Sequence, residues 1–203
     1  QAKSPLTLAS ISCIHSFALD YMHLVCLGVV RRMLNWFKCG PATCKLSFRQ
    51  RTEISERLQA LNGKLPSEFA RQPRSLLELD RWKATELRQF LLYTGPVVLR
   101  KVVSGVIYSH FLRLMVAMAI FLNSNDEVRN QYLNYARDLM MSFVKKCQRV
   151  YGDAFTVYNV HSLIHLADDV EYFGCSLNDI SSFPFENYLQ RLKRMVRQSR
   201  NPI

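Results

Sequence analysis

Residues 17–37 read FALDYMHLVCLGVVRRMLNWF, and this stretch decides the fold class. Its apolar residues fall at 19, 22, 26, 29, 30, 33, 34 and 37, steps that suit a helix and not a strand. Lys38-Cys39-Gly40-Pro41 then supplies a stop signal. The text on the C-terminal side repeats the habit. Ser47 to Leu61 sets Ile54, Leu58 and Leu61 on one face and closes at Asn62-Gly63. Leu65 to Pro73 reads as a loop or a short helical turn. Leu76 to Tyr93 predicts a third helix, interrupted at Thr94-Gly95-Pro96, and Val97 to Leu122 the most apolar and central one. Asn123 to Asp126 offers N-caps for a fifth helix, Glu127 to Val150, stopped by Tyr151-Gly152-Asp153. Val157 to Tyr172 follows, then a polar loop from Gly174 to Ser182. The last helix runs from Pro184 to Arg200, with proline near its first turn. Only Ile11 to Leu19 has the look of a strand. The expectation is an all-α chain, one helical domain without repeats or a clear linker.

Composition narrows the function classes. Apolar residues make up 49% of the 203 and charged residues 21%, which excludes disorder and collagen-like text. Twenty-seven Lys and Arg against 16 Asp and Glu leave +11, so the expected partners are anionic, nucleic acid or an acidic membrane surface. The longest apolar run, Val102 to Leu122, carries Ser104, His110 and Arg113, which argues against a membrane span. Six cysteines stand at 13, 26, 39, 44, 147 and 175 without a C-x-x-C. They read as reduced core thiols of an intracellular protein. Walker A, G-x-G-x-x-G and G-x-S-x-G motifs are absent, so phosphate chemistry on a protein-held nucleotide has no support. The first residue is Gln1 and not Met, which reads as a fragment or an incomplete gene reading.

Three places carry candidate chemistry. In the last helix Phe185, Leu189, Leu192 and Val196 step by four, three and four, predicting one buried stripe. Arg191, Lys193, Arg194, Arg197 and Arg200 fill the remainder, with no acid after Glu186. On a helical projection Glu186 lies about 20° from Lys193 and about 20° from Arg197. Two readings stand: a solvated amphipathic helix with an acid favoured by the dipole, or a DNA-tracking helix whose carboxylate helps hold a divalent metal at a phosphate. His161 and His165 are spaced i, i+4, within reach of one metal, although structural histidines explain the pair as well. Their apolar neighbours predict that at least one is partly buried. Asp20-x-x-His23 repeats the one-face arrangement, with an N-cap as the plainer role for Asp20. The acidic turn Asp168-Asp169-Val170-Glu171 serves a neighbouring basic group on this reading.

Three segments taken in order carry a resemblance. They are Leu19-Asp20-Tyr21-Met22-His23-Leu24-Val25-Cys26-Leu27-Gly28-Val29, then Tyr158-Asn159-Val160-His161-Ser162-Leu163-Ile164-His165-Leu166, then Phe183-Pro184-Phe185-Glu186-Asn187-Tyr188-Leu189-Gln190-Arg191-Leu192-Lys193. Between them stand Pro73-Arg74-Ser75-Leu76, Arg81-Trp82-Lys83-Ala84-Thr85-Glu86 and Tyr93-Thr94-Gly95-Pro96. The set resembles the C-terminal half of transposases related to the CACTA (En/Spm) elements and their animal relatives. That resemblance implies an RNase H-like nuclease with two Asp and one Glu around Mg or Mn, its strands lying upstream of Gln1. It implies a possible last core strand and lead-in over 1–19, a helical insertion domain over 20–182 and a basic terminal core helix over 183–203. Glu186 matches the third carboxylate. His23, His161 and His165 match zinc ligands, with Asp20 a possible fourth. The expected partner is the DNA phosphate backbone, with Arg191, Lys193, Arg194, Arg197 and Arg200 holding it. No membrane partner is expected, homo-oligomers are expected as in such transposases, and the location implied is the nucleus. The first two catalytic Asp and a cysteine-rich segment are missing, so a DDE transposase activity waits on upstream sequence and the chain given is expected to be inactive alone. The alternatives are a non-enzymatic DNA- or chromatin-binding module and a helical protein-interaction scaffold.

Overall fold

The computed structural model describes residues 16–69 and 71–195, and every element in them is helical. The first helix starts one turn later than the periodicity suggests. It runs as α1 (Met22–Val30), with widened π-type hydrogen bonds, straight into α2 (Arg31–Cys39). The Asp20 carboxylate accepts from the amides of Met22 and His23 and so begins the helix; Phe17 stays exposed outside it. Val25, Cys26, Val29, Val30, Met33, Leu34 and Phe37 are buried, and burial pushes the Cys26 thiol up to about 12. α3 (Phe48–Gln59) opens with a capping box between Ser47 and Gln50 and buries Ile54 and Leu58.

The predicted third helix breaks elsewhere than expected. A 3-10 segment, Leu76–Arg81, ends at extended Trp82 and Lys83, and α4 (Ala84–Gln89) restarts where Glu86 accepts from the Lys83 amide at 2.8 Å. Buried Trp82 donates its indole N–H to the Ser75 carbonyl at 3.1 Å, which holds the break in place. Thr94-Gly95-Pro96 is no interruption. A π turn, Phe90–Thr94, resets the hydrogen-bond register, so Pro96 falls in the first turn of α5 (Gly95–Val98), where a missing N–H is tolerated. A Cβ on Gly95 would lie 2.5 Å from the Phe90 carbonyl oxygen and 2.6 Å from Phe111, so only glycine fits.

The central apolar helix begins at Ser104, not Val97. Ser104 caps α6 (Gly105–Phe121), and Asn125 caps α7 (Asp126–Tyr151) by accepting from the Val128 amide. The short link between them makes an antiparallel pair that forms the middle of the core, with Phe111, Leu114, Met118 and Phe121 against Ala136, Met140 and Phe143. His110 is fully inside, stacked on Phe143 at 4.2 Å, with its ring nitrogens on the Phe143 carbonyl and the Tyr151 hydroxyl. Arg129, 1% exposed, donates to the Asn123 and Gly174 carbonyls and pairs with Asp126, tying the end of α6 to the turn at Gly174.

α8 (Tyr158–Ser162) passes through a 3-10 turn, Leu163–His165, into α9 (Leu166–Phe173). A Cβ on Gly28 would lie 2.9 Å from the Asn159 side chain, which is how closely α1 and α8 approach. α10 (Phe183–Met195) differs from the rest: none of its described residues is buried. The expected buried stripe is therefore corrected. Phe185, Leu189 and Leu192 are 71%, 49% and 40% exposed, because α10 meets the body mainly at its start, where Phe183 packs on Tyr21. Val196, Arg197 and Arg200 lie outside the described residues, as do Cys13 and most of the strand-like Ile11 to Leu19; residues 16–19 form no strand. Cys26, Cys44 and Cys147 are buried thiols as expected, whereas Cys39 is exposed. No helix among the described residues is long and apolar enough to cross a membrane.

Candidate nucleic-acid interface

The start of α10 is fixed by Asp20. Its carboxylate accepts from the Ser182 amide at 2.9 Å while also holding the His23 amide and ring. Burial alone raises this carboxyl; the Ser182 amide, the His23 ring and the His23 amide outweigh burial and hold it below its ordinary value. α10 thus leaves the body at a defined point beside α1, and its Glu186 amide closes the first turn on the Ser182 carbonyl at 2.9 Å.

A groove of about 770 Å³ lies between α10, the first two turns of α1 with Arg31 of α2, and the Trp82-Lys83 break. Arg31, Arg71, Arg81, Lys83, Lys193 and Arg194 line it, against two carboxylates, Asp80 and Glu186. Arg31 ties its walls together by donating to the Trp82 carbonyl. The break itself is braced by Glu86, 4% exposed, which takes two 2.7 Å bonds from Arg74. Burial pushes the Glu86 carboxyl up, and the Arg74 and Lys83 bonds bring it below the ordinary carboxylate range. A cleft with this excess of cations focuses an attractive field for polyanions, and the attraction falls with salt.

Of the expected DNA-holding residues, Lys193 and Arg194 line the groove with Glu186. Arg191 is exposed but outside its lining, and Arg197 and Arg200 lie outside the described residues. Asp80, Arg31 and Arg71 were not legible as site residues. They are distant in the chain, and no local spacing announces a groove made from three separate segments.

The expected zinc ligands fall into two pairs. His161 and His165 have ring centroids 5.7 Å apart, and both are exposed, contrary to the expectation of partial burial. The apolar neighbours turn inward as Val160, Leu163 and Leu166, and the 3-10 turn leaves both rings on the outer side. His23 pairs with Asp20, whose oxygens already hold three backbone amides. Among the described residues no three His, Cys, Asp or Glu side chains gather around one metal position. The acidic turn does serve a basic group: Arg137 of α7 pairs with Asp168 and with Glu171, while Asp169 accepts from the Leu19 amide at 2.8 Å.

Comparison with known proteins leaves the chain without a match: no family description, no curated protein and no solved structure is similar to it at a significant level.

Proposed function

We propose that this chain is a segment of a transposase-derived DNA-binding protein of the CACTA (En/Spm)-like kind that its motifs resemble, and that the α1–α10 groove takes a DNA backbone. The observation that supports the reading is the convergence of Lys193 and Arg194 with Arg31, Arg81 and Lys83 on one groove containing Glu186. The role of the basic side chains is to hold phosphates. Glu186 is the third carboxylate of a strand-transfer site completed by two Asp from outside these residues. A divalent metal bound there would polarise the scissile phosphate and activate a water or a 3′ hydroxyl. By this reading the 203 residues bind DNA and do not cut it. The proposal includes zinc, with His161 and His165 as ligands and His23 and Asp20 as the others that the motifs imply.

The test is titration of a short duplex of arbitrary sequence at low and raised salt. Salt-dependent, sequence-indifferent binding is expected, weakened by charge reversal at Lys193, Arg194 and Arg197 and unchanged in Glu186→Gln. The exposed Phe185, Leu189 and Leu192 favour a second reading, a helical protein-interaction module. It predicts no DNA retention even at low salt.

A further inference from the structure

Beside the groove is a second pocket of about 400 Å³, within the range of small-molecule sites (roughly 300–1,000 Å³). It shares Arg71, Thr85, Phe183 and Asn187 with the groove, so the two adjoin. Two aromatic pairs line it. Phe69 meets Tyr93 edge-on at 5.0 Å, and Tyr21 meets Phe183 at 5.5 Å. Tyr93 is 52% exposed although it stands in a helix that otherwise buries its neighbours Leu91 and Thr94.

Two polar side chains in this pocket, Gln89 and Arg88, lack a full set of partners among the described residues. Gln89 is only 6% exposed, lines the pocket, and leaves its Nε2 without a hydrogen-bond acceptor among the described residues. Arg88 donates through one terminal nitrogen to Asn178 at 3.2 Å, but its buried Nε is likewise unpartnered. A buried amide donor left unmade is costly, and a ligand acceptor at that point would satisfy it. Arg71 and Arg88 give the pocket two cations against the single carboxylate of Glu68. Flat aromatic faces, an unsatisfied amide and guanidinium groups together suit one chemistry, a planar heteroaromatic base attached to a phosphate.

We propose that this pocket binds a single unstacked nucleotide, its base against Tyr93 and its edge on the Gln89 amide, its phosphate towards Arg71 and the groove. The inference rests on the DNA reading of that groove for the source of the nucleotide, and on the pocket alone for its chemistry. An extra nucleotide swung out of a duplex lying in the groove reaches the pocket through the shared wall. Stacking on one aromatic side chain gives such a nucleotide about a tenfold advantage over its paired counterpart.

The experiment compares the chain's affinity for a fully paired duplex, for the same duplex with one unpaired nucleotide in a bulge, and for free deoxynucleoside monophosphates. The bulged duplex binds about tenfold tighter than the paired one, and Tyr93→Ala and Gln89→Leu each bring the ratio towards one with paired affinity unchanged. Half-exposed Tyr93 carries little of the core, so its variant keeps the wild-type melting curve. Equal affinity for both duplexes, or a ratio that neither variant alters, overturns DNA-borne binding. If neither duplex binds, the groove reading has failed and the monophosphate decides the pocket by itself. Shifts of the Tyr93 ring resonances that vanish in Gln89→Leu support a nucleotide pocket fed by free nucleotide. Absence of shifts overturns it.

Discussion

The Ser182 amide donates to Asp20 Oδ1 at 2.9 Å across 162 residues of sequence. One carboxylate therefore starts the first helix and sets where the last one leaves the body. Its own protonation state matters to both. The carboxyl is held below its ordinary value, so its contribution is full above about pH 4 and is lost as pH falls through the lowered value.

Asp20→Ala should cost about 1 kcal/mol of stability, the usual loss for an N-cap, with Asp20→Asn nearer to wild type. It should also weaken DNA binding severalfold without touching DNA, because α10 is no longer fixed beside the groove. Urea midpoints and duplex titrations read the two effects. Unaltered binding in a destabilised Asp20→Ala chain would show that the α10 start does not position the basic residues.

His110 carries a second pH dependence. Burial lowers its pKa from 6.5 to about 4, and the bond to the Phe143 carbonyl only partly opposes this; Arg113 and Lys146 add to the lowering. The neutral ring stabilises the fold fully above about pH 6.5, and that contribution falls as pH drops towards about 4. The loss is on the order of 3 kcal/mol. Replacing His110 with Gln should flatten stability over this window relative to wild type, whatever it does to the absolute value. Parallel wild-type and variant curves would contradict the assignment.

The His161/His165 pair makes the zinc claim concrete. Chain purified without chelator should carry about one zinc, and changing both histidines to Ala should remove it and lower the melting temperature. A metal-free wild-type chain with the same melting temperature as its double variant would sink the claim. His23→Ala separates the two pairs, since it reduces zinc only if α1 contributes a ligand.

The helical class was legible because amphipathic spacing survives any local irregularity. Ser47, Asn125 and the Gly152 stop all stood where their chemistry predicts. Local irregularities were not legible. The break at Trp82-Lys83 is capped by Lys83 with only the Glu86 half of a capping box, and the Gly95-Pro96 pair is absorbed by a π turn that no propensity marks. The exposure of the apolar stripe of α10 was not legible, because periodicity reports one face of a helix, not what covers it. For the site, Glu186, Lys193 and Arg194 could be found on one helix. Their partners Arg31, Arg71 and Arg81 could not, since the groove arises only when α1 and the Trp82 break pack together.

The central claim is that both walls of the groove hold one DNA backbone. The most direct measurement is the slope of log affinity against log salt for the wild-type chain, Lys83→Gln, Arg194→Gln and the double variant. Both side chains are exposed, so neither substitution disturbs the core. Each single change should reduce the slope by about 1 and the double change by about 2, because each removes one phosphate contact. A slope that responds to Arg194 but not to Lys83 would contradict the account, leaving DNA on α10 alone and the groove without a role.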